Sequence, residues 1–299
     1  MLAAEVLALV GDADLALDGT LGGGGHSAAM LEHGVGSVVG IDRDSGAIAA
    51  ARERLEAYEL NGRFRVVSGN YSDPTVLAQL GDDPFDAILL DLGVSSRQLD
   101  AEDRGFTFRE GAPLDMRMDA GADLDAATWL STADETEIAR SLREYGDEPK
   151  AHRMAREIVR RRANRPFQTS DDLVGAIRGV LGPRSGPGDF ARIFQAVRIA
   201  VNDELGGLSS ALPELRDRLV PGGRLIVIAY HSGEDRIVKH AFREWSADCI
   251  CPPKLPMCTC RGMALGETLT RRAIIATEAE TTANPRARSA RLRAWRSAK

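Results

Sequence analysis

Leu15-Ala-Leu-Asp18-Gly-Thr-Leu-Gly22-Gly-Gly-Gly25-His26-Ser27 is the stretch that decides the fold. A short apolar run ends in an acid, four successive glycines follow, and a helix start comes next. The apolar run reads as a buried strand. The glycines read as a turn in which positive φ and close approach of backbone to a ligand both exclude a Cβ. Ser27 is placed to cap the helix that follows. The whole reads as a nucleotide-type cofactor loop, although a glycine run also serves as a purely structural turn.

Outward from that loop the rhythm is strand and helix in alternation. Residues 1 to 14 supply an amphipathic helix, with Leu2, Val6, Leu9 and Val10 at helical spacing. A second strand, Ser37-Val-Val-Gly-Ile-Asp42, again ends in an acid. A carboxylate there accepts hydrogen bonds from ribose hydroxyls in dinucleotide-type βαβ units. A helix over Ser45 to Tyr58 leads to a third strand, Arg63 to Ser68, and then to Gly69-Asn70-Tyr71. A fourth strand, Phe85-Asp-Ala-Ile-Leu-Leu-Asp91, ends in a third acid. This alternation predicts an α/β fold with a parallel sheet, whose ligands bind beyond the carboxyl ends of the strands. Gly22 to Gly25, Asp42, Tyr71 and Asp91 all fall at that edge.

From about Asp103 to Val201 the pattern becomes helical. Thr132 with Glu135 and Thr169 with Asp172 read as capping pairs, each opening an apolar-periodic run. Residues 150 to 165 carry Lys150, Arg153, Arg156, Arg160, Arg161, Arg162 and Arg165 against the single acid Glu157, on a helix whose apolar stripe includes Ala151, Met154 and Ile158. Such a face is a candidate phosphate-binding surface. The helix over about Asp189 to Leu205 places Arg192, Gln195, Arg198 and Asn202 on a polar face suited to lining a cleft. The α/β pattern then resumes with a turn at Pro221-Gly-Gly, a strand over Arg224 to Ala229, and Tyr230-His231-Ser232 at its end. A last strand is predicted around Arg271 to Thr277. The stretch from Asn284 to Arg296, with five arginines and no acid, reads as a second nucleic-acid contact or a poorly ordered end. The domain expectation is a discontinuous sheet domain, 1–102 with 203–299, interrupted by a helical substrate-recognition insertion at 103–202.

The totals fit this reading. The 299 residues, 43% hydrophobic and 27% charged, suffice for one large or two smaller cored domains. No stretch reads as a membrane span or a signal peptide, so a soluble cytoplasmic protein is expected. A net charge of -6 argues against indiscriminate nucleic-acid binding and leaves local basic patches open. The four cysteines lie between Cys249 and Cys260, which excludes a chain-wide disulfide framework. Cys249-Ile-Cys251 and Cys258-Thr-Cys260 invite a zinc site. Their single intervening residues fall short of the usual two to four, however, and no metal is expected.

Three cofactors compete for the glycine loop. A Walker-type phosphate loop needs Gly-Lys-Ser/Thr, but His26 follows Gly25. A dinucleotide fits Gly23, Gly25 and Ala28 formally, yet Asp18 would sit close to the pyrophosphate. S-adenosylmethionine, with its cationic ammonium and sulfonium, suits Asp18 and Asp91. Its adenosine hydroxyls suit Asp42, and its adenine suits Tyr71.

A closer resemblance rests on Asp18-Gly-Thr-Leu-Gly-Gly-Gly-Gly-His-Ser27, Leu90-Asp-Leu-Gly-Val-Ser-Ser-Arg-Gln-Leu-Asp100, Arg104-Gly-Phe-Thr-Phe108 and Pro113-Leu-Asp-Met-Arg-Met-Asp119. Phe194-Gln-Ala-Val-Arg-Ile-Ala-Val-Asn202, His231-Ser-Gly-Glu-Asp-Arg-Ile-Val-Lys239 and Asn284-Pro-Arg-Ala-Arg-Ser289 extend it. Over nearly the whole chain the sequence resembles the small-subunit (16S) ribosomal RNA cytosine-N4 methyltransferase family, methyltransferase H. The resemblance implies a class I methyltransferase fold with a helical insertion and S-adenosylmethionine as donor. The implied acceptor is a cytidine in the decoding region of 16S ribosomal RNA. The implied cofactor contacts are Gly24, Gly25, His26, Asp42, Tyr71, Asp91 and Gln98. The chain lacks the family's usual His-x-Pro-Val start, which is expected to weaken closure over the ligands. Gly233 replaces a frequent leucine, Ala229-Tyr230 a frequent Ser-Phe, and Tyr71 a frequent phenylalanine.

Cytosine N4 is a poor nucleophile because its lone pair is delocalised into the ring. The site must therefore align it with the methyl group and accept a hydrogen bond from its amino group. Asp91, or a backbone carbonyl beyond it, suits that role; the other role open to Asp91 is to hold the methionine ammonium, and His231 is the alternative proton acceptor. The expected partner is 16S ribosomal RNA or the small ribosomal subunit, met through the arginine-rich insertion and the C-terminal stretch. Homodimerisation is left open. A non-catalytic RNA-binding or assembly factor that retains the cofactor fold is the alternative function.

Overall fold

The computed structural model describes residues 1–95, 104–252 and 257–298; Gln98 lies outside them. In chain order the elements are α1 (Ala3–Val10), β1 (Leu15–Asp18), α2 (Gly25–His33), β2 (Ser37–Asp42), α3 (Ser45–Leu60), β3 (Phe64–Ser68), α4 (Pro74–Ala78) and β4 (Phe85–Asp91). A helical series follows: α5 (Ala126–Thr132), α6 (Glu135–Glu144), α7 (Ala151–Arg162), α8 (Ser170–Leu181), α9 (Pro187–Asn202) and α10 (Glu204–Arg216). The chain closes with β5 (Leu219–Ala229), α11 (Ser232–Trp245), β6 (Gly266–Thr268), β7 (Ile274–Ile275), α12 (Glu278–Ala283) and β8 (Arg291–Ser297). They form two compact units, Met1–Gly93 with Leu205–Lys299, and Val94–Glu204.

The first unit is built on one sheet of order β3-β2-β1-β4-β5-β8-β6, with β7 also paired to β8. Strands β1 to β5 are mutually parallel, and β8 runs antiparallel to β5, β6 and β7. The central strands are continuous apolar runs because helices cover both faces. Along β4, Ile88 and Leu90 join Leu17, Val227 and Phe242 on one face, whereas Ala87 and Leu89 join Val6, Met30 and Leu55 on the other. The strand order reverses between β1 and β4, which opens a crevice at their carboxyl ends.

The stretch from Asn284 to Arg296 is no tail. Its second half is β8, hydrogen-bonded between β5 and β6. Arg293 is buried and forks onto Asp235 at 2.7 and 3.1 Å, and Arg296 pairs with Glu267. The apolar residues between them fill the core. Trp295 is fully buried, its ring 5.3 Å from that of Trp245 and 6.5 Å from that of Phe242. The strand expected over Arg271 to Thr277 shrinks to the two residues of β7. Pro221-Gly-Gly is not a separate turn but a bulge inside β5, where pairing with β4 shifts register.

The second unit packs α5 to α9 around Trp129, Leu142, Met154, Ile158, Ile177, Ile193 and Phe194. Phe108 meets Phe190 and Phe194 edge-on, with centroids 5.8 and 6.0 Å away. Thr169 and Asp172 form a capping box at the start of α8, as their spacing predicts. Thr132 does not cap: it is the last residue of α5, and Asp134 caps α6 by accepting from Glu137 N at 2.7 Å. No helix among the described residues is long and apolar enough to cross a membrane. Replacing Trp295 by Ala is expected to cost about 3–5 kcal/mol of stability in urea unfolding, the range for a fully buried aromatic. A loss below about 1 kcal/mol would mean that β8 is not part of the core.

Candidate active site at the strand edge

The loop after β1 lies between two neighbouring strands and is fastened to both. Gly19 N donates to Leu89 O at 2.9 Å, and the Thr20 hydroxyl accepts from Asp91 N at 2.6 Å, which ties the loop to β4. Leu21 N then donates to Ile41 O at 2.9 Å and Gly22 N to Asp42 Oδ2 at 2.7 Å, which ties it to β2. Gly22 and Gly24 hold φ of +51° and +73°, the left-handed region that favours glycine. A Cβ on Gly24 would also lie 3.2 Å from Ala51 Cβ and 3.1 Å from Leu55 Cδ1, so this glycine lets α2 start close against α3. Gly25 opens α2, which has no side-chain cap and no acid in its first turn.

Ser27 is therefore inside α2 and not its cap. Its hydroxyl donates to Asp18 Oδ2 at 2.7 Å, and Asp18 Oδ1 accepts from Thr20 N at 3.3 Å. Asp18 is 1% exposed, and burial pushes its carboxyl above the ordinary range, against the opposing pull of His26 and Ser27. Asp18 thus holds the loop to the helix from within instead of facing a cationic ligand. Asp42 stands differently. Each of its oxygens accepts one backbone N–H, from Gly22 and from Asp44 (2.9 Å), which leaves further lone pairs for a ligand's hydroxyls. Burial raises this carboxyl as well.

Asp91 ends β4 with a side chain 21% exposed. Its Oδ1 accepts from the Tyr230 hydroxyl at 2.7 Å. Burial, together with the charge of Asp91, raises the Tyr230 hydroxyl well above its ordinary value, so it stays a donor. His26 Nε2 is 3.4 Å from Asp91 Oδ2 but off the line of a hydrogen bond, and it is buried without a partner. An orphaned ring nitrogen and a half-open carboxylate at one edge suit a polar, charged ligand. Tyr71 reaches the same edge because Gly69 N donates to Asp42 O at 2.8 Å, and it packs on the core beside β1 and β4.

His231 is drawn elsewhere. It is the N-cap residue of α11, where the buried Glu234 accepts from Tyr230 N at 2.8 Å and His231 N at 3.3 Å. His231 Nε2 lies 3.1 Å from the other oxygen of that carboxylate and, like His26 Nε2, is buried without a hydrogen-bond partner. Thr20, Tyr230 and Glu234 all organise the edge, yet the sequence alone assigned none of them a role. The signal for Thr20 was its position directly between the strand-end acid and the glycines.

The arginines of the helical unit are more occupied than a linear count implies. Arg160 and Arg161 both bond Glu157, at 2.8 and 2.7 Å, which pulls that carboxyl down to about 2. Arg162 donates to Leu130 O and Ala133 O, Arg156 lies 3.8 Å from Glu135, and Arg165 lies 3.6 Å from Asp172. Besides Glu157 on the same helix, the neutralising acids come from α6 and α8. On the polar face of α9, Arg192 lines an open cleft of about 350 Å³ together with Glu148, Lys150, Arg184 and Asp189, and the rest of the face is tied within its unit. Arg192 bonds the 146–148 turn, Gln195 bonds Tyr145 O, Arg198 forks onto Glu204, and Asn202 bridges Met116 O and Met118 N.

Five parallel strands in this order, an antiparallel strand after them and acids closing β1, β2 and β4 define an α/β protein of the class I, S-adenosylmethionine-dependent methyltransferases. The profile of the MraW methylase family matches residues 2–298, and the chain belongs to that family. A Gemmatimonas aurantiaca protein named ribosomal RNA small subunit methyltransferase H is 64% identical over 298 residues, which is 100% of this chain and 94% of its own. Its namesake from Heliobacterium modesticaldum is 48% identical over 93% of this chain and 90% of its own. Among solved structures, an rRNA methylase from Streptococcus thermophilus aligns with 99% of this chain and 94% of its own, with a TM-score of 0.44 and 10% identity.

Thr20→Val keeps shape but strips the acceptor from Asp91 N. An unmet buried N–H costs about 1–3 kcal/mol, and S-adenosylhomocysteine affinity by calorimetry is expected to drop about tenfold. Unchanged affinity would separate the loop tie from the ligand site. For Asp18 the raised native pKa means that the folded state binds the proton more tightly than the unfolded chain does. The stability this confers is complete below the ordinary carboxylate range and is lost as pH rises through the raised value. Urea unfolding of Asp18→Asn against the parent is therefore expected to favour the variant increasingly from pH 4 to pH 7. A difference independent of pH would contradict the burial account.

Proposed function

We propose that this protein transfers the methyl group of S-adenosylmethionine to the exocyclic N4 of a cytidine in the decoding region of 16S ribosomal RNA, free or within the small subunit. The observation that carries the reading is full-length 64% identity to a protein named for small-subunit ribosomal RNA methylation, with the acids at the ends of β1, β2 and β4 all present. Asp42 receives the ribose hydroxyls and Tyr71 packs by the adenine. Gly24, Gly25, His26 and Asp91 take the methionine end, where the uncapped first turn of α2 suits its carboxylate. Gln98 joins them by resemblance to the family. When bound, the donor supplies an activated methyl group; the protein's task is alignment.

Asp91 Oδ1 is engaged by the Tyr230 hydroxyl, which leaves Oδ2 to accept from the cytosine amino group as its lone pair is redirected towards the methyl carbon. Oδ2 suits this role better than His231, whose ring lies against Glu234. The helical unit, with the 103–202 insertion at its heart, holds the RNA. Arg153 has no ion-pair partner among the described residues and, with the exposed edges of Arg156 and Arg160, supplies phosphate contacts on α7. The target base must be unstacked, which costs least in a loop or a partly assembled particle.

The test is labelled methyl transfer to small subunits from cells lacking the gene, followed by mass spectrometry of RNA digests. One cytidine is expected to gain a methyl on N4, and Asp91→Asn to lower the transfer rate about a hundredfold while RNA binding persists. A methyl on a ring carbon or ribose, or RNA binding without any transfer, would overturn the proposal.

A further inference from the structure

Between the end of α11 at Trp245 and the start of β6 at Gly266 the described chain carries no helix or strand. Its base is tied: Leu265 N donates to Trp245 O at 2.8 Å, and Arg261 reaches Ala247 O at 3.2 Å as well as Glu244 O. Among the described residues of its outer part the large apolar side chains are exposed, Ile250 by 43% and Met257 by 77%. A connection this long inside a compact unit needs some other fastening.

The fastening sits at the four cysteines. The Sγ atoms of Cys249, Cys251, Cys258 and Cys260 all lie within 4.8 Å of one another. The contacts are 3.4 Å for Cys258 to Cys260, 3.8 Å for Cys249 to both Cys258 and Cys260, and 3.9 Å for Cys251 to Cys258. All four are free thiols, at separations far beyond the ~2.05 Å of a disulfide. A tetrahedral ion with metal–sulfur bonds of about 2.3 Å sets its sulfurs about 3.8 Å apart, in line with these contacts.

The two arms also support each other's sulfurs crosswise. Ile250 N, between the cysteines of the first arm, donates to Cys260 Sγ at 3.4 Å, and Thr259 N, between those of the second, donates to Cys251 Sγ at 3.4 Å. N–H groups aimed at sulfur stabilise thiolate and orient it as a ligand. The short spacing that spoke against a metal in the sequence has a geometric answer. Along an extended arm, residues i and i+2 share a face, so one intervening residue delivers two sulfurs to the same side.

We propose that Cys249, Cys251, Cys258 and Cys260 bind one zinc ion as a closed tetrathiolate knuckle that fastens the segment between α11 and β6. Four protein ligands leave no open position, so the ion is structural, and its binding displaces the thiol protons into solvent.

The test uses the full chain, purified without chelator from zinc-containing medium. Elemental analysis is expected to find one zinc per chain. In the native protein all four cysteines are expected to resist iodoacetamide, and to become alkylated once a chelator removes the metal. Cobalt(II) added to the stripped protein is expected to give the intense visible bands of a tetrahedral thiolate complex. Cys258→Ser is expected to reduce bound zinc to background, and Cys258→His to retain it. Because the alkylation experiment is done on the unaltered chain, a variant that misfolds does not blunt the test. Absence of zinc with free alkylation, two disulfides in place of four protected thiols, or iron in stoichiometric amount would each overturn the proposal.

Discussion

The structure of the sheet unit depends on how the turn after β1 is held. Four hydrogen bonds fasten residues 19 to 22 to β2 on one side and β4 on the other, and Asp18, fully buried beneath them, ties the loop to α2 through Ser27. Burying a carboxyl is costly unless it is hydrogen-bonded, and here the cost is offset by the fixed relation of a strand, a turn and a helix. The ends of β2 and β4 are positioned by the same bonds. Asp42 and Asp91 consequently face one crevice with spare acceptor capacity, whereas Asp18 is buried away from it.

Much of this edge was legible because its residues interrupt apolar runs. Asp18, Asp42 and Asp91 each close a buried parallel strand, and in such a strand a lone acid at the carboxyl end stands out against its neighbours. Their division of labour was not legible. Whether an acid faces ligand or core depends on the partners folding brings to it: Ser27 and Thr20 for Asp18, Tyr230 for Asp91. His231 illustrates the same limit, since only the structure pairs its ring with Glu234 and makes it the first residue of a helix cap.

Arginine was the least readable residue type. A run of basic residues looks like an unpaired surface when acids are counted only nearby, yet Glu135 and Asp172 approach α7 from other helices, and Asp235 and Glu267 meet β8 from positions remote in sequence. β8 was missed for this reason. Arg293 and Arg296 masked a strand whose Leu292, Ala294 and Trp295 are buried core. For the cysteines the limit ran in the opposite direction, because spacing along the chain understated how closely two short arms bring four sulfurs together.

The central claim is that the crevice between β1 and β4 binds the methyl donor with Asp42 and Asp91 at its two ends. A crystal structure of the protein with S-adenosylhomocysteine tests it most directly. Ribose hydroxyls are expected on the Asp42 carboxylate, and the amino-acid end against Gly24 to His26 and Asp91. Density for the ligand away from these strand ends, or a ribose making no contact with Asp42, would contradict it.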